Sequence, residues 1–457
     1  MNPFIQIKGG TPLQGEIVAS GAKNAMTKLL VASLISNKKC IFTNVPNIGD
    51  VDITAELCQE LGAEISWDKE KRTIEIITKE LSTSSISQKF SGANRIPILL
   101  IGSLLGRTTT EISVPAVGGD KLGTRPVNFH IKALEQLGAQ INYHFLNDSI
   151  IYTAKAPNGL KGNVIILPFP SVGATENTIL AAVRAKGTTI IKNAATEPEI
   201  INLILFLQKL GVHITLDVDR TIRIKETNTF YEVEHNVLPD RNEVISYALA
   251  AISTKGKVFI KKAEHLHMIT FLNYLRKVNG GFNVKKDGIE FFYKGPLNGG
   301  ILIETDVHPG FMTDWQQPFA VLLTQSNGCS VIHETVYENR FGYTKTLNEM
   351  GADMELFTSC LGGKTCRFSS LNHFHSLIIK GPSKLKGKDI SIPDLRAGFA
   401  YIMAALLAKD ISNIYNIHFL DRGYENIIDK LLTLGANIKK VDTKKDLLKK
   451  LMPLPVK

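Results

Sequence analysis

Gln59-Glu60-Leu61-Gly62-Ala63-Glu64-Ile65-Ser66 is a helix end, a turn and the start of an alternating strand, and the chain repeats it. The glycine suits the left-handed position that closes a helix. The same signature returns at Leu137-Gly138-Ala139, Leu210-Gly211-Val212, Met350-Gly351-Ala352 and Leu434-Gly435-Ala436, with a degenerate copy at Asn279-Gly280-Gly281. A spacing of roughly 70 to 85 residues exceeds the common solenoid periods and suits a small α/β unit repeated six times. Upstream of these turns, an Ala/Leu-rich helix runs into a β-branched strand at Leu29 to Asn44, Leu180 to Asn193, Tyr247 to Lys261, Ala320 to Glu334 and Tyr401 to Asn416. Each unit therefore reads helix, strand, helix, strand, with further strand at its end. Three units bury one core, so six imply two similar α/β domains, with no long linker or low-complexity segment between them.

The 457 residues, 44% of them apolar, exceed what one ordinary core accommodates. The longest apolar stretches, Ile96 to Gly106 and Ala397 to Ala408, fall short of the roughly 18 to 20 residues that span a bilayer. Met1 to Lys8 has no basic start followed by a long apolar core, so the expected location is cytoplasmic, without membrane partners. Cys40, Cys58, Cys329, Cys360 and Cys366 form no C-x-x-C pair and read as free thiols. His265 with His267, and His373 with His375, lack neighbours at ligand spacing, so neither metal nor cofactor is expected. The formal charge of +10 favours anionic partners. Part of it is the lysine run from Lys439 to Lys450, a solvated face or tail. The other basic residues that stand out are single arginines beside glycines and acids, a pattern that fits a pocket for small phosphorylated molecules better than a nucleic-acid stripe.

Polar residues gather in the loops after the first strand of each unit: Asp50 and Asp52; Asp120 and Arg125; Glu197 and Glu199; Glu338, Asn339 and Arg340; Asp421, Arg422 and Glu425. Loops on a rigid scaffold commonly carry function. For Asp50, Glu197 and Glu199 the simpler reading is that they open the following helices as caps and dipole partners. The loop Val117 to His130 combines three glycines, Asp120, Lys121 and Arg125 at the entrance of a helix. There the cations and backbone N–H groups attract an anion.

Several separated motifs resemble the enolpyruvyl transferases that act on UDP-N-acetylglucosamine. They are Ser20-Gly21-Ala22-Lys23-Asn24-Ala25, Gly118-Gly119-Asp120-x-x-Gly123-x-Arg125-Pro126-Val127, Ser171-Val172-Gly173-Ala174-Thr175, His308-Pro309-Gly310-Phe311-Met312-Thr313-Asp314, Glu338-Asn339-Arg340-Phe341, Asp394-Leu395-Arg396-Ala397 and Asp421-Arg422-Gly423-Tyr424-Glu425. The resemblance implies two inside-out, barrel-like α/β domains of three units each. Residues 23–238 would form one domain, which carries the catalytic loop 117–130. Residues 1–22 with 239–457 would form the other, and the active site would lie in the cleft between them. It also implies an activity: transfer of the enolpyruvyl group of phosphoenolpyruvate to the 3′-hydroxyl of UDP-N-acetylglucosamine with release of phosphate, the first committed step of peptidoglycan and hence cell-wall synthesis.

By the same resemblance, Lys23, Asn24, Arg125, Arg396 and Arg422 hold phosphoenolpyruvate, with Arg396 facing its carboxylate. Arg95, Arg125, Pro126, Val127, Asn128, Phe129, Ser171, Val172, Gly173, Asp314 and Val336 contact the nucleotide sugar. Asp314 is the base at the attacking hydroxyl, and Asp120 holds the position of the catalytic loop residue. The family usually has cysteine there. A carboxylate is a much poorer nucleophile than a thiolate, so resistance to the epoxide antibiotic fosfomycin is expected. Asp120 must carry a proton to donate one; neighbouring Lys121 and Arg125 favour its ionised form and bound phosphoenolpyruvate opposes them, so turnover is expected to favour lower pH than in cysteine-bearing relatives. Gly49, Phe169 and Phe419 also replace polar residues common in the family, each removing a ligand contact. Two alternatives remain in play. The sister reaction on shikimate 3-phosphate shares the six-unit fold, and a catalytically idle relative would bind nucleotide sugar alone.

Overall fold

The structure is a computed structural model that describes residues 3–118, 126–146, 149–363 and 366–442. The chain divides into two compact units. One begins at Ser20 and ends at Asp240; the other joins the segment ending at Ala19 to the chain from Arg241 onward.

The repeat is clearest between Val164 and Lys225. Strand Val164–Ile166 leads through helix Val172–Ala182 to strand Thr188–Lys192, which pairs with it in parallel. Helix Pro198–Leu210 then ends at Gly211, and Ile214–Leu216 and Ile222–Lys225 add antiparallel strands. Four further sheets have the same four-strand order, with one parallel edge pair and three antiparallel strands. The sixth, Ile112–Pro115 with Ser149–Lys155 and Gln140–Leu146, has three strands and a parallel bridge from Ser85 to Ser113 where the edge strand would lie. The N-terminal strands complete the later unit: Phe4–Lys8 pairs with Ile411–Tyr415 (Ile5 opposite Ile414), and Gln14–Val18 with Lys257–Lys261 (Ile17 opposite Ile260).

Gly62, Gly138, Gly211, Gly351 and Gly435 all sit at positive φ, as the repeat signature requires. In the degenerate copy the left-handed residue is Asn279, at φ 65°, and not one of the two glycines after it. Asparagine tolerates this region better than other residues with a Cβ. Asn44, Asn193 and Asn416, which follow the first strands of their units, are left-handed too. The first two close the parallel pair by donating through Nδ2 to the Val237 and Leu167 carbonyls.

The layering is inverted relative to common α/β proteins. Every residue of helices Pro97–Leu104, Arg241–Ser253 and Gln316–Leu323 is buried; apolar and small residues predominate on all faces, and the larger buried polar ones stand in the first turns, at Arg241, Asn242, Glu243, Gln316 and Gln317. The sheets alternate buried and solvated positions and so form the outer layer, as in Lys257–Lys261. Among the described residues all six sheets stay open, so the inside-out, barrel-like layering is carried by helices that fill each core and not by closed strands. No helix among the described residues is long and apolar enough to cross a membrane.

Close helix packing makes Gly102 irreplaceable. A Cβ there would lie 2.3 Å from Asn177 Oδ1 and 2.5 Å from the Asn177 carbonyl oxygen. The Gly102 N–H already donates to that Oδ1 at 3.0 Å. Gly102→Ala is expected to destabilise the chain by about 1–3 kcal/mol, the usual range for overpacking, read as a lowered urea midpoint; an unchanged midpoint would contradict this packing.

Candidate active-site groups in each unit

In the unit that continues from Arg241, Asp314 lies in the single turn Thr313–Trp315 before helix Gln316–Leu323. Arg340 Nη2 donates to its Oδ1 at 2.5 Å, and Arg396 Nε lies 3.3 Å from Oδ2. Both guanidiniums are buried, whereas Asp314 keeps 22% of its side chain exposed. The pair thus orients a carboxylate that stays partly exposed. Arg396 is itself positioned by its helix start: the Asp394 carboxylate caps Leu395–Leu407 by accepting from the N–H groups of Arg396 and Ala397. The Tyr424 hydroxyl lies 3.5 Å from Arg396 Nη1, and the Tyr424 ring stacks on Phe399.

Behind Asp314 is Glu334, which sequence reasoning did not single out. It is fully buried and accepts from Thr313 Oγ1, Gln316 Nε2 and the N–H groups of Val336 and Tyr337. Burial pushes its carboxyl above the usual range, with Arg340 as the strongest opposing influence. Arg340 therefore serves two acids, and its role was equally missed; the motif Glu338-Asn339-Arg340-Phe341 held the signal. Val336 is half-buried at this loop, and Arg422 follows the short helix His418–Asp421, also half-buried.

In the unit from Ser20 to Asp240, Lys23 opens helix Lys23–Ser33 and pairs with Asp50 at 2.9 Å; its backbone N–H donates to Asp240 Oδ2. Asp50 does stand in the first turn of its helix, Gly49–Glu60, but it is buried and holds the lysine. Asn24 is half-buried beside Lys23. The preceding turn is tight: a Cβ on Gly21 would lie 1.9 Å from the Asn44 carbonyl oxygen.

A second group surrounds His130. Val127 precedes helix Asn128–Gln136 without a side-chain capping bond, with Asn128 exposed and Phe129 half-buried, and Ser171 Oγ caps helix Val172–Ala182 by accepting from the Ala174 N–H. These helix starts meet at the His130 ring; a Cβ on Gly173 would approach Cε1 to 2.9 Å. Burial, with Arg95 adding to it, lowers the His130 pKa to about 3, so the ring is neutral. Its Nδ1 accepts from Asn177 Nδ2 at 3.3 Å. The stem of the glycine loop is tied to the turn carrying Arg95. The Gly92 N–H donates to Ala116 O, and the Gly118 N–H to Asn94 O. A Cβ on Gly118 would fall 1.8 Å from the Gly92 carbonyl oxygen. Pro126 is exposed, and Asp120 and Arg125 lie outside the described residues.

Glu197 stands at the N-cap position and Glu199 in the first turn of helix Pro198–Leu210, as read, but both are buried and Glu197 makes no side-chain capping bond. They face Glu176, whose Oε1 is 4.0 Å from Lys28 Nζ. Burial first, opposed by Lys28 and then reinforced by Glu199 and Glu197, raises the Glu176 carboxyl from 4.5 to about 7. Below about pH 4.5 it is protonated in both folded and unfolded chains; from there to about pH 7 only the folded chain keeps the proton. Stability from this group is thus present at low pH and lost as pH rises through about 7. Between about pH 5 and about pH 8 the natural chain is expected to lose on the order of 3 kcal/mol relative to Glu176→Gln, measured by urea unfolding. Parallel pH profiles would contradict this.

Elsewhere in the unit from Arg241, the structure gathers side chains whose sequence spacing held no metal signal. His333, Cys360, Cys366 and His375 bring one nitrogen or sulfur each within 4.8 Å of one another. The expectation that His375 lacks ligand partners is thereby corrected. The physical reason is strand register, which places His333 opposite Ser376.

Comparison with known proteins bears on the whole chain. Residues 7–431 match the EPSP synthase (3-phosphoshikimate 1-carboxyvinyltransferase) family. The chain is 66% identical over 442 residues to the UDP-N-acetylglucosamine 1-carboxyvinyltransferase of Protochlamydia amoebophila (strain UWE25), covering 97% of this chain and 95% of that protein. It is 57% identical over 434 residues to the protein of the same name in Chlamydia abortus (strain DSM 27085 / S26/3), covering 95% and 97%. Among solved structures, the enolpyruvyl transferase NikO from Streptomyces tendae shares the fold, with a TM-score of 0.84 at 20% identity over 96% of this chain and 99% of that one.

Proposed function

Because this chain belongs to the EPSP synthase family of carboxyvinyltransferases, we propose that it transfers the enolpyruvyl group of phosphoenolpyruvate to the 3′-hydroxyl of UDP-N-acetylglucosamine, releasing phosphate. The observation that carries the choice of acceptor is the 66% identity over 97% of the chain to a protein named for that reaction. The proposed step belongs to peptidoglycan synthesis and draws on soluble metabolites of the cytoplasm.

In this reading the oxygen of the sugar hydroxyl attacks C2 of phosphoenolpyruvate while Asp314 accepts its proton, and Asp120 delivers a proton to the methylene C3. A C–O bond forms and the C2=C3 bond becomes single. Elimination then returns a proton from C3 to Asp120, restores the double bond and breaks the C2–O bond to phosphate, which departs with the proton held by Asp314. Division of the proton traffic between two groups is the normal requirement of such chemistry. The paired geometry of Asp314 with Arg340 and Arg396 supports its role: a fixed acceptor needs no reorganisation when the hydroxyl arrives.

Lys23, Asn24, Arg125, Arg396 and Arg422 would bind phosphoenolpyruvate. Arginine forks suit its carboxylate and phosphate, and lysine acts as a point charge. Asp50 keeps the Lys23 ammonium directed until phosphate competes for it. Arg95, residues 125–129, Ser171, Val172, Gly173, Asp314 and Val336 would contact the nucleotide sugar, with the neutral His130 ring as a rigid support under Gly173. The experiment offers each acceptor separately to the purified chain with phosphoenolpyruvate. Phosphate release with UDP-N-acetylglucosamine is the expected result; faster release with shikimate 3-phosphate would sink the proposed acceptor.

A further inference from the structure

We propose that His333, Cys360, Cys366 and His375 form a tetrahedral Zn²⁺ site that staples the strand Gly328–His333 to the connection after strand Asp353–Phe357. The inference is independent of the proposed reaction. Bonds of about 2.3 Å to sulfur and about 2.0–2.1 Å to nitrogen, at tetrahedral angles, put two sulfurs about 3.8 Å apart and a sulfur about 3.5 Å from a nitrogen. The Cys360 and Cys366 Sγ atoms are 3.7 Å apart, and Cys360 Sγ is 3.3 Å from His375 Nε2. The sulfur separation is far beyond a disulfide bond of about 2.05 Å. His333, Cys366 and His375 are buried and Cys360 half-buried.

The outer hydrogen bonds orient both imidazoles for metal. His333 Nδ1 lies 3.3 Å from the Glu304 carboxylate, and His375 Nδ1 is 2.8 Å from the His373 carbonyl oxygen. Both oxygens only accept, so each Nδ1 carries the proton and each Nε2 presents its lone pair to the cluster. His333 Nε2 is fully buried and has no hydrogen-bond partner among the described residues. An orphan of this kind is costly unless something binds it. Gly362 closes over the same pair: a Cβ there would lie 2.2 Å from His333 Nδ1 and 2.3 Å from Glu304 Oε1.

A set of two sulfurs and two imidazole nitrogens, with no carboxylate among them, suits Zn²⁺. On binding, the two thiols release their protons to solvent, and two thiolates with two neutral imidazoles balance the dication without redox chemistry. The staple lies next to proposed substrate contacts. Glu334 directly follows His333, and Arg367, one residue after Cys366, donates to the Val336 carbonyl.

The test uses the full-length chain, reduced, stripped with chelator and titrated with Co²⁺. We expect one Co²⁺ per chain, with thiolate charge-transfer and tetrahedral d–d absorption, displaced by an equivalent of Zn²⁺. Cys360→Ser and His375→Ala lose this spectrum. Cys329→Ser, an exposed cysteine outside the cluster, keeps it. Glu304→Gln weakens binding by about 10–100-fold, as loss of an outer-shell carboxylate does. Reduced natural chain showing no thiolate–Co²⁺ band would overturn the site without recourse to any variant. So would Co²⁺ uptake that is indifferent to Cys360→Ser.

Discussion

Asp314→Asn is expected to lower kcat for acceptor-dependent phosphate release by about 10²–10⁴-fold, the contribution of a positioned general base. The asparagine keeps the shape and one acceptor oxygen but cannot take the hydroxyl proton. Because that proton moves only in the chemical step, kcat should fall while KM for the sugar changes little. The variant also leaves Arg340, fully buried, facing an amide in place of an anion. Removing one partner of a buried ion pair costs about 3–5 kcal/mol, so a lowered thermal midpoint should accompany the kinetic loss. Assay at a temperature where circular dichroism shows the variant folded separates the two effects. A folded Asp314→Asn chain turning over within a few-fold of the natural one would remove Asp314 from the base role.

The second large effect concerns Asp120. The natural chain should keep its rate in fosfomycin, whereas Asp120→Cys should be inactivated with time and gain the mass of one drug molecule. In that reaction the thiolate sulfur attacks an epoxide carbon, the C–O bond opens and the alkoxide takes a proton. A carboxylate is too weak a nucleophile to compete. Asp120→Asn, which cannot donate the proton required at C3, should lose about 10²–10⁴-fold in kcat. Natural protein inactivated as fast as the cysteine variant, or Asp120→Asn at full rate, would contradict the assignment.

The architecture was legible because the helix-closing glycine and the alternating strand after it are local signals repeated along the chain. Gly62, Gly138, Gly211, Gly351 and Gly435 occupy the conformation the pattern implies. What sequence could not convey was which faces are covered. Asp50, Glu197 and Glu199 stand at helix starts as read, yet all three are buried, one holding Lys23 and two facing Glu176. Arg340 stood in a recognised motif, but its grip on Asp314 spans 26 residues and depends on burial. The thiol–imidazole cluster was invisible for a related reason: the pairing of strands Gly328–His333 and Ser376–Gly381 brings distant ligands together, and no local spacing encodes it.

Phosphate and nucleotide sugar followed together in one reaction of the purified chain with phosphoenolpyruvate test the proposed transfer. One phosphate should be released for each UDP-N-acetylglucosamine converted to its enolpyruvyl ether, and none when the 3′-hydroxyl is replaced by hydrogen. Phosphate release that ignores the acceptor, or an unmodified sugar after phosphate has appeared, would contradict it.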